Sequence, residues 1–233
     1  MHNILEMVDV QKNYGRKKVL TGTTFSLPKG KFVGLLGPNG SGKTTMFNII
    51  SGLTKFRHGT ITIDNTPLGV ASRSLVSYMP DKNFLYDYMN TTDAIRFYKD
   101  FFPDFDEKKA LELCDFLEIQ KEQKVKKMSK GAIEKLLLLL TLSRKTKLYL
   151  LDEPLGGVDP LGKTKILDTI LKSFAADEST MVISTHLLKD TEKLFDHALF
   201  LKDGQITKSG DADVLRQEHN KTLEEIYVEV YGG

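Results

Sequence analysis

Tryptophan is absent from this chain of 233 residues, and cysteine occurs once, at Cys114. A single thiol excludes both a disulfide framework and a thiolate metal site. Cys114 lies in the helical pattern ALELCDFLEI, where a small buried hydrophobe is expected. Long apolar runs are missing too. The longest, LLLLL at 136–140, gives way to Thr141, Ser143, Arg144 and Lys145. A membrane-spanning helix needs about 20 apolar residues, so this one belongs in a core. The opening MHNILEMVDVQ has no charged-then-apolar signal pattern, which makes a cytosolic chain the expectation. Charge of one sign is also lacking: 33 Lys and Arg stand against 31 Asp and Glu, for a net charge of +2. Charge alone therefore draws the chain neither to nucleic acid nor to an anionic surface. No internal repeat or low-complexity linker interrupts it. With 40% apolar and 27% charged residues, the composition is ordinary for one large domain.

The patterning places strands at both ends and a helical block between them. ILEMVDVQKNYG and VLTGTTFSLPKG alternate as strands, and FVGLLG at 32–37 is an apolar run of the kind found in buried parallel strands. GTITID at 59–64 reads as a further surface strand. From about 91 the period becomes helical, with Pro103 separating two helices and Asp106 capping the second. A leucine-rich helix follows at about 130–143. Next come the strand KLYLLD, a Gly-Gly-Val-Asp-Pro turn, a helix, and the strand TMVIST. HALFLKDGQITKSG forms a hairpin about Asp203-Gly204, and TLEEIYVEVYGG closes the chain as a short amphipathic helix. The expected fold is α/β with a mostly parallel central sheet and a helical insertion.

Two stretches carry chemistry. GPNGSGKTT after FVGLL fits the phosphate-loop spacing at Gly37, Gly42, Lys43 and Thr44. Its glycines let backbone N–H groups converge on phosphate oxygens, and the helix that follows offers its N-terminus to an anion. Lys43 supplies charge for the β- and γ-phosphates, and the Thr44 hydroxyl reaches Mg²⁺. The remaining loop residues Pro38, Asn39, Gly40, Ser41 and Thr45 complete the binding segment. The second stretch is YLLDEP. Asp152 ends an apolar strand, expected beside FVGLLG, and faces the same Mg²⁺, usually through water. Glu153 points elsewhere, where it can hold and polarise a water attacking the γ-phosphorus.

Phosphate loop, paired acids and order of elements resemble the ATP-binding subunit of ATP-binding-cassette (ABC) transporters, over roughly residues 4 to 230. The resemblance implies a P-loop NTPase core with an N-terminal antiparallel β subdomain and a helical signature subdomain. It implies one ABC ATP-binding domain over 1–233, with residues 1–80 and 145–233 as the nucleotide-binding core and 81–144 as the helical part. Tyr14 matches the aromatic that stacks on adenine. His186, in VISTH, matches the switch histidine at the γ-phosphate. Asp159, in LGGVDP, matches the aspartate that bridges two subunits. MSKGA at 128–132 stands where the family commonly has LSGGQ. There Ser129 and Gly131 match the residues that serve the ATP of the partner subunit. Lys130 and Ala132 depart from that pattern, and Lys130 either adds attraction for that phosphate or points to solvent. Asp81, in YMPDKNFLY, replaces the glutamine expected near Mg²⁺. It either contacts the metal directly, reaches it through water, or is an ordinary turn aspartate.

The resemblance implies an ATPase using ATP and Mg²⁺, with Glu153, His186 and Lys43 as its catalytic residues. It implies a second ATP-binding subunit, identical or related, and separate transmembrane permease subunits, with no nucleic acid. The expected place is peripheral, on the cytoplasmic face of the cell membrane, and the Pro-Asp junction with a lysine-bearing signature leans toward export. Phe84, Leu85, Tyr86 and Tyr88 are candidates for the permease contact, with packing against the helical subdomain as the alternative reading. The alternative is a soluble ABC-type ATPase in translation or DNA maintenance. Such proteins usually carry two cassettes, or a long coiled-coil insertion that the short stretch from Lys43 to Ser129 leaves no room for. A GTPase is disfavoured because NKTL at 220–223 lacks the guanine-reading aspartate.

Overall fold

In the computed structural model, which describes residues 2–175, 178–189 and 191–232, the chain opens with two long antiparallel strands, β1 (Asn3–Tyr14) and β2 (Lys17–Pro28). Then come β3 (Phe32–Leu36), α1 (Lys43–Ile50), β4 (His58–Ile63), β5 (Thr66–Pro67), α2 (Val70–Arg73) and β6 (Val76–Met79). Three helices form the middle of the chain: α3 (Thr91–Phe101), α4 (Glu107–Phe116) and α5 (Lys130–Leu142). The remainder is β7 (Leu148–Asp152), α6 (Pro160–Ser173), β8 (Thr180–Thr185), β9 (His197–Lys202), β10 (Gln205–Asp211), α7 (Ala212–His219) and α8 (Leu223–Tyr231).

Two sheets result. One is antiparallel with order β2-β1-β4-β5; the other has order β10-β9-β3-β8-β7-β6 and is parallel except for the β9–β10 hairpin. Every residue of β3, β7 and β8 is buried, so these strands do not alternate between an apolar and a polar face, and their polar residues Asp152, Thr180, Ser184 and Thr185 lie near the strand ends. Period-2 geometry still divides their side chains. Val33, Leu35, Leu148, Leu150 and Val182 pack with α1 and the antiparallel sheet. Phe32, Leu36, Tyr149, Leu151 and Ile183 pack against the helical side, where α5 contributes Leu136 to Leu140. One expectation is corrected here: KLYLLD does not neighbour FVGLLG, because β8 lies between β7 and β3. All three strands are equally buried, and nothing local in their sequence sets their order. The register nevertheless pairs Asp152 with Ser184 and Thr185 with Leu36, so all three strand ends reach the same edge.

The helical block is set by its caps. Asn90 and Asp93 form a capping box on α3, and Asp106 accepts from the Lys109 N–H at 3.0 Å to start α4. Backbone bonding to Lys109 and the Lys145 ammonium hold the Asp106 carboxyl below its usual range. Cys114 is fully buried, and burial raises its thiol pKa, which leaves it an unreactive packing group.

Asp64, at the end of β4, pairs with Lys29 before β3 and with Lys147 before β7, which ties the antiparallel sheet to the central one. Those two lysines lower its pKa from 3.8 to about 2. The folded pKa is below the unfolded one, so this stabilisation is present above the usual carboxylate range and is lost as pH falls through about 2. Both ammonium groups are partly exposed, which reduces the expected cost of Asp64→Asn to about 1–2 kcal/mol near neutral pH. Urea denaturation of the two proteins over an acid series should show the difference shrinking as pH drops. A difference that stays constant would assign it to packing.

Candidate functional site

The turn from β3 into α1 wraps a cavity. Gly37 sits so close that a Cβ there would come within 2.7 Å of both the Leu201 carbonyl and Ser41 Oγ. Gly42 has φ +113°, a left-handed conformation that an L side chain rarely adopts, and it packs on Val19 and Leu20 of β2. These two constraints leave Pro38, Asn39, Gly40 and Ser41 as a loop ahead of the α1 N-terminus, where Met46 N–H first closes on Gly42 O at 2.8 Å. The cleft beyond it holds about 300 Å³. Asn39, Gly40, Gly42, Lys43, Thr44 and Thr45 line one side. Tyr14 with Lys17 and Val19 of the hairpin form another side, and Asp81 and Glu153 a third.

Lys43 is 6% exposed, and its ammonium reaches the carbonyls of Gly37 at 2.7 Å and Pro38 at 3.3 Å. It also stands 3.3 Å from Glu153 Oε1. That approach is an ion pair without hydrogen-bond geometry, so Oε1 remains a buried acceptor with no donor. Glu153 adopts φ +49°, which turns the chain sharply at the end of β7. Its N–H is fixed by Ser184, with the carbonyl and the hydroxyl each at 3.1 Å. Its Oε2 lies 2.9 Å from His186 Nδ1. His186 follows β8, so two parallel strand ends bring the carboxylate and the imidazole together.

Asp152 is fully buried beneath this layer. Ser184 Oγ donates to its Oδ1, and the Tyr78 hydroxyl donates to Oδ2 at 3.5 Å. Burial raises the Asp152 pKa, hydrogen bonds from Ser184 and Thr44 oppose the rise, and the charges of Glu153 and Asp81 add to it. The same burial, reinforced by Asp152, pushes the Tyr78 phenol far above its ordinary range and keeps it a neutral donor. Three carboxylates thus lie close enough to repel one another beside the Thr44 hydroxyl. This is a donor set that a hard cation with water and phosphate ligands relieves. Among the described residues, no three His, Cys, Asp or Glu side chains close a metal site by themselves. Ser41 Oγ, buried in the loop without a partner, offers the same kind of open valence to an anion.

Tyr14 is half exposed, with Lys12 Nζ 4.7 Å from its ring centroid, so one aromatic face stays open at the cleft. Ser129, Gly131 and Asp159 do not line the cleft. Ser129 caps α5, accepting from the Ala132 N–H at 3.2 Å, and Asp159 caps α6, accepting from the Gly162 N–H at 3.0 Å. Both are exposed. Sequence reasoning did not single out Lys17, Val19, Tyr78 or Ser184. For Ser184 a signal existed: it is the polar residue in an otherwise apolar VIS run. Leu85 corrects another expectation, being 6% exposed and part of the core, while Phe84, Tyr86 and Tyr88 are exposed.

The chain and its fold have counterparts among known proteins. The family model described as ABC transporter matches residues 20–156. The ABC transporter ATP-binding protein YtrB of Bacillus subtilis is 30% identical over 94% of this chain and 75% of its own length. The lantibiotic transport ATP-binding protein SrtF of Streptococcus pyogenes is 28% identical over 96% of each chain. A solved structure of the ATP-binding subunit of an ABC transporter superposes with a TM-score of 0.86 at 27% identity, covering 97% of this chain and 98% of that one. The family match and these relatives define the class: this chain belongs to the ABC transporter family. It is an ATP-binding cassette, an ATPase component of a transporter.

Proposed function

We propose that two copies of this chain close face to face on two ATP molecules with Mg²⁺, and that this closure drives export through separate permease subunits. The observation that carries the reading is the division of the site. Lys43, Thr44, Asp81 and Glu153 share one cleft, while Ser129, Gly131 and Asp159 are presented elsewhere on exposed helix N-termini. A helix N-terminus attracts phosphate, so α5 of one chain is suited to meet the γ-phosphate held by the other. Export is supported by SrtF, whose name records lantibiotic transport.

In this reading, Tyr14 stacks on the base and residues 37–45 hold the phosphates. Thr44, Asp152 and Asp81 would hold the Mg²⁺, which would neutralise charge developing on the phosphoryl oxygens. Glu153 Oε1, buried and lacking a donor, accepts a hydrogen bond from the attacking water and takes its proton. His186 orients Glu153 through the 2.9 Å contact and is placed to turn toward the γ-phosphate. The permease docks where Phe84, Tyr98 and Phe102 line an apolar groove of about 560 Å³. Arg73 and Lys82 stand at that groove, so the fitting partner is a short apolar helix carrying a carboxylate.

Glu153→Gln tests the reading. The amide keeps the shape and loses the base, so Mg-ATP should convert monomers to stable dimers by light scattering, whereas Mg-ADP should not. A monomer that still binds ATP would overturn the two-chain site.

A further inference from the structure

Lys130, the unusual residue of the signature segment, is largely exposed along its length, but its ammonium is turned back onto its own helix. Its ammonium lies 3.6 Å from Glu134 Oε1, one helical turn along α5. Glu134 is itself 5% exposed. Its other oxygen accepts from the Gly157 N–H at 3.2 Å. Gly157 sits in the loop that begins at Glu153 and ends at Asp159, and Gly156 N–H closes on Glu153 O at 3.0 Å within the same loop. The glycine lets the loop approach these side chains closely. A Cβ on Gly157 would overlap Glu134 Oε1 and come within 2.5 Å of Lys130 Cδ and Cε. Gly131 lies against the same loop, near Gly157 O and Val158.

We infer that Glu134, oriented by Lys130, is a positioning residue that couples the signature end of α5 to the Glu153 loop. A phosphate of the second chain meeting Ser129 would thereby set the carboxylate that serves this chain's own nucleotide. The inference rests on the two-chain reading above. Its physical basis is a buried carboxylate spending its two oxygens on two different elements: one on the first turn of α5, and one on a backbone N–H four residues after Glu153. A charged acceptor on a backbone N–H, shielded from water, makes a stronger link than a neutral one. The bland reading, an intrahelical surface pair, fits poorly with the burial of Glu134 and the lack of room at Gly157.

The test uses the whole chain. Glu134→Leu removes both contacts, and its kcat should fall about tenfold while the KM for ATP stays within about twofold. Glu134→Gln keeps an oxygen for Gly157 and should recover most of that loss. If Glu134→Leu fails to fold by circular dichroism, the pair 130 and 157 decides the matter. Gly157→Ala should cost turnover in the native background and about threefold less with Lys130→Gly. A kcat within about twofold of native in folded Glu134→Leu, or additive effects at 130 and 157, overturns the inference. Light scattering in the Glu153→Gln background separates the two readings. If the parent variant dimerises with Mg-ATP while turnover ignores position 134, only the coupling fails. If the parent stays monomeric, the two-chain site fails and takes transmission between chains with it.

Discussion

Lys43→Ala should abolish measurable ATP turnover and weaken Mg-ATP binding by about a hundredfold or more, the scale of one desolvated, charge-assisted contact to phosphate. The magnitude follows from where the ammonium sits. It is 6% exposed and makes contacts of 2.7 and 3.3 Å with the loop's own carbonyls, so it is already desolvated and aimed along the inner wall of the cleft. It reaches a phosphate without paying that cost again. Alanine removes the charge, leaves the Gly37 carbonyl without its donor and leaves Glu153 Oε1 without its cation. Lys43→Arg should not rescue the loss, because a planar guanidinium does not fit a pocket shaped around one tetrahedral ammonium. Titration with a fluorescent ATP analogue and phosphate release measure the two quantities separately. Tight binding with lost turnover would reassign Lys43 from ground-state binding to the transition state alone. Unchanged binding and turnover would remove residues 37–45 from the nucleotide site.

What the sequence made readable was local. The loop at 37–45, the acid pair at 152 and 153, and the cap at Asp106 are each written within a few residues. What it concealed was long-range. The order of β3, β8 and β7 depends on which of three fully buried strands lies in the centre, and no pattern within a strand encodes that. Leu85 sits between exposed Phe84 and Tyr86, and only the turn geometry of the 80–89 segment tells which of the three faces inward. The Lys130–Glu134 pair has the helical i,i+4 spacing, but its third member, Gly157, is brought in by packing between elements. The short α7 carries only Ala212 and Leu215 into the core, too weak a signal to separate from the hairpin before it. Ser184 joins Asp152 and Glu153 across 32 and 31 residues, so its role depends on strand pairing that sequence spacing does not record.

Ser129→Arg should leave Mg-ATP binding to the monomer intact and abolish turnover. A side chain of that length at an exposed helix N-terminus blocks the approach of a second chain's phosphate without touching this chain's own cleft. The variant becomes decisive when mixed with Lys43→Ala. Each protein alone is inactive for a different reason: one has no usable signature segment and the other no usable phosphate loop. In a mixed dimer, the intact loop of the Ser129→Arg chain faces the intact α5 of the Lys43→Ala chain, which rebuilds one complete site, while the other site carries both defects. If pairing is random and each site turns over independently, half the dimers are mixed and recovery should approach about a quarter of native activity. No single-chain site predicts recovery, because each chain would keep its own defect. A mixture that forms mixed dimers by crosslinking yet stays inactive would mean that both sites must be whole before either turns over. Wild-type protein titrated with Ser129→Arg distinguishes that case, because activity would then fall with the square of the wild-type fraction. A linear fall, together with recovery in the mixture of the two inactive variants, places Ser129 in the partner's site.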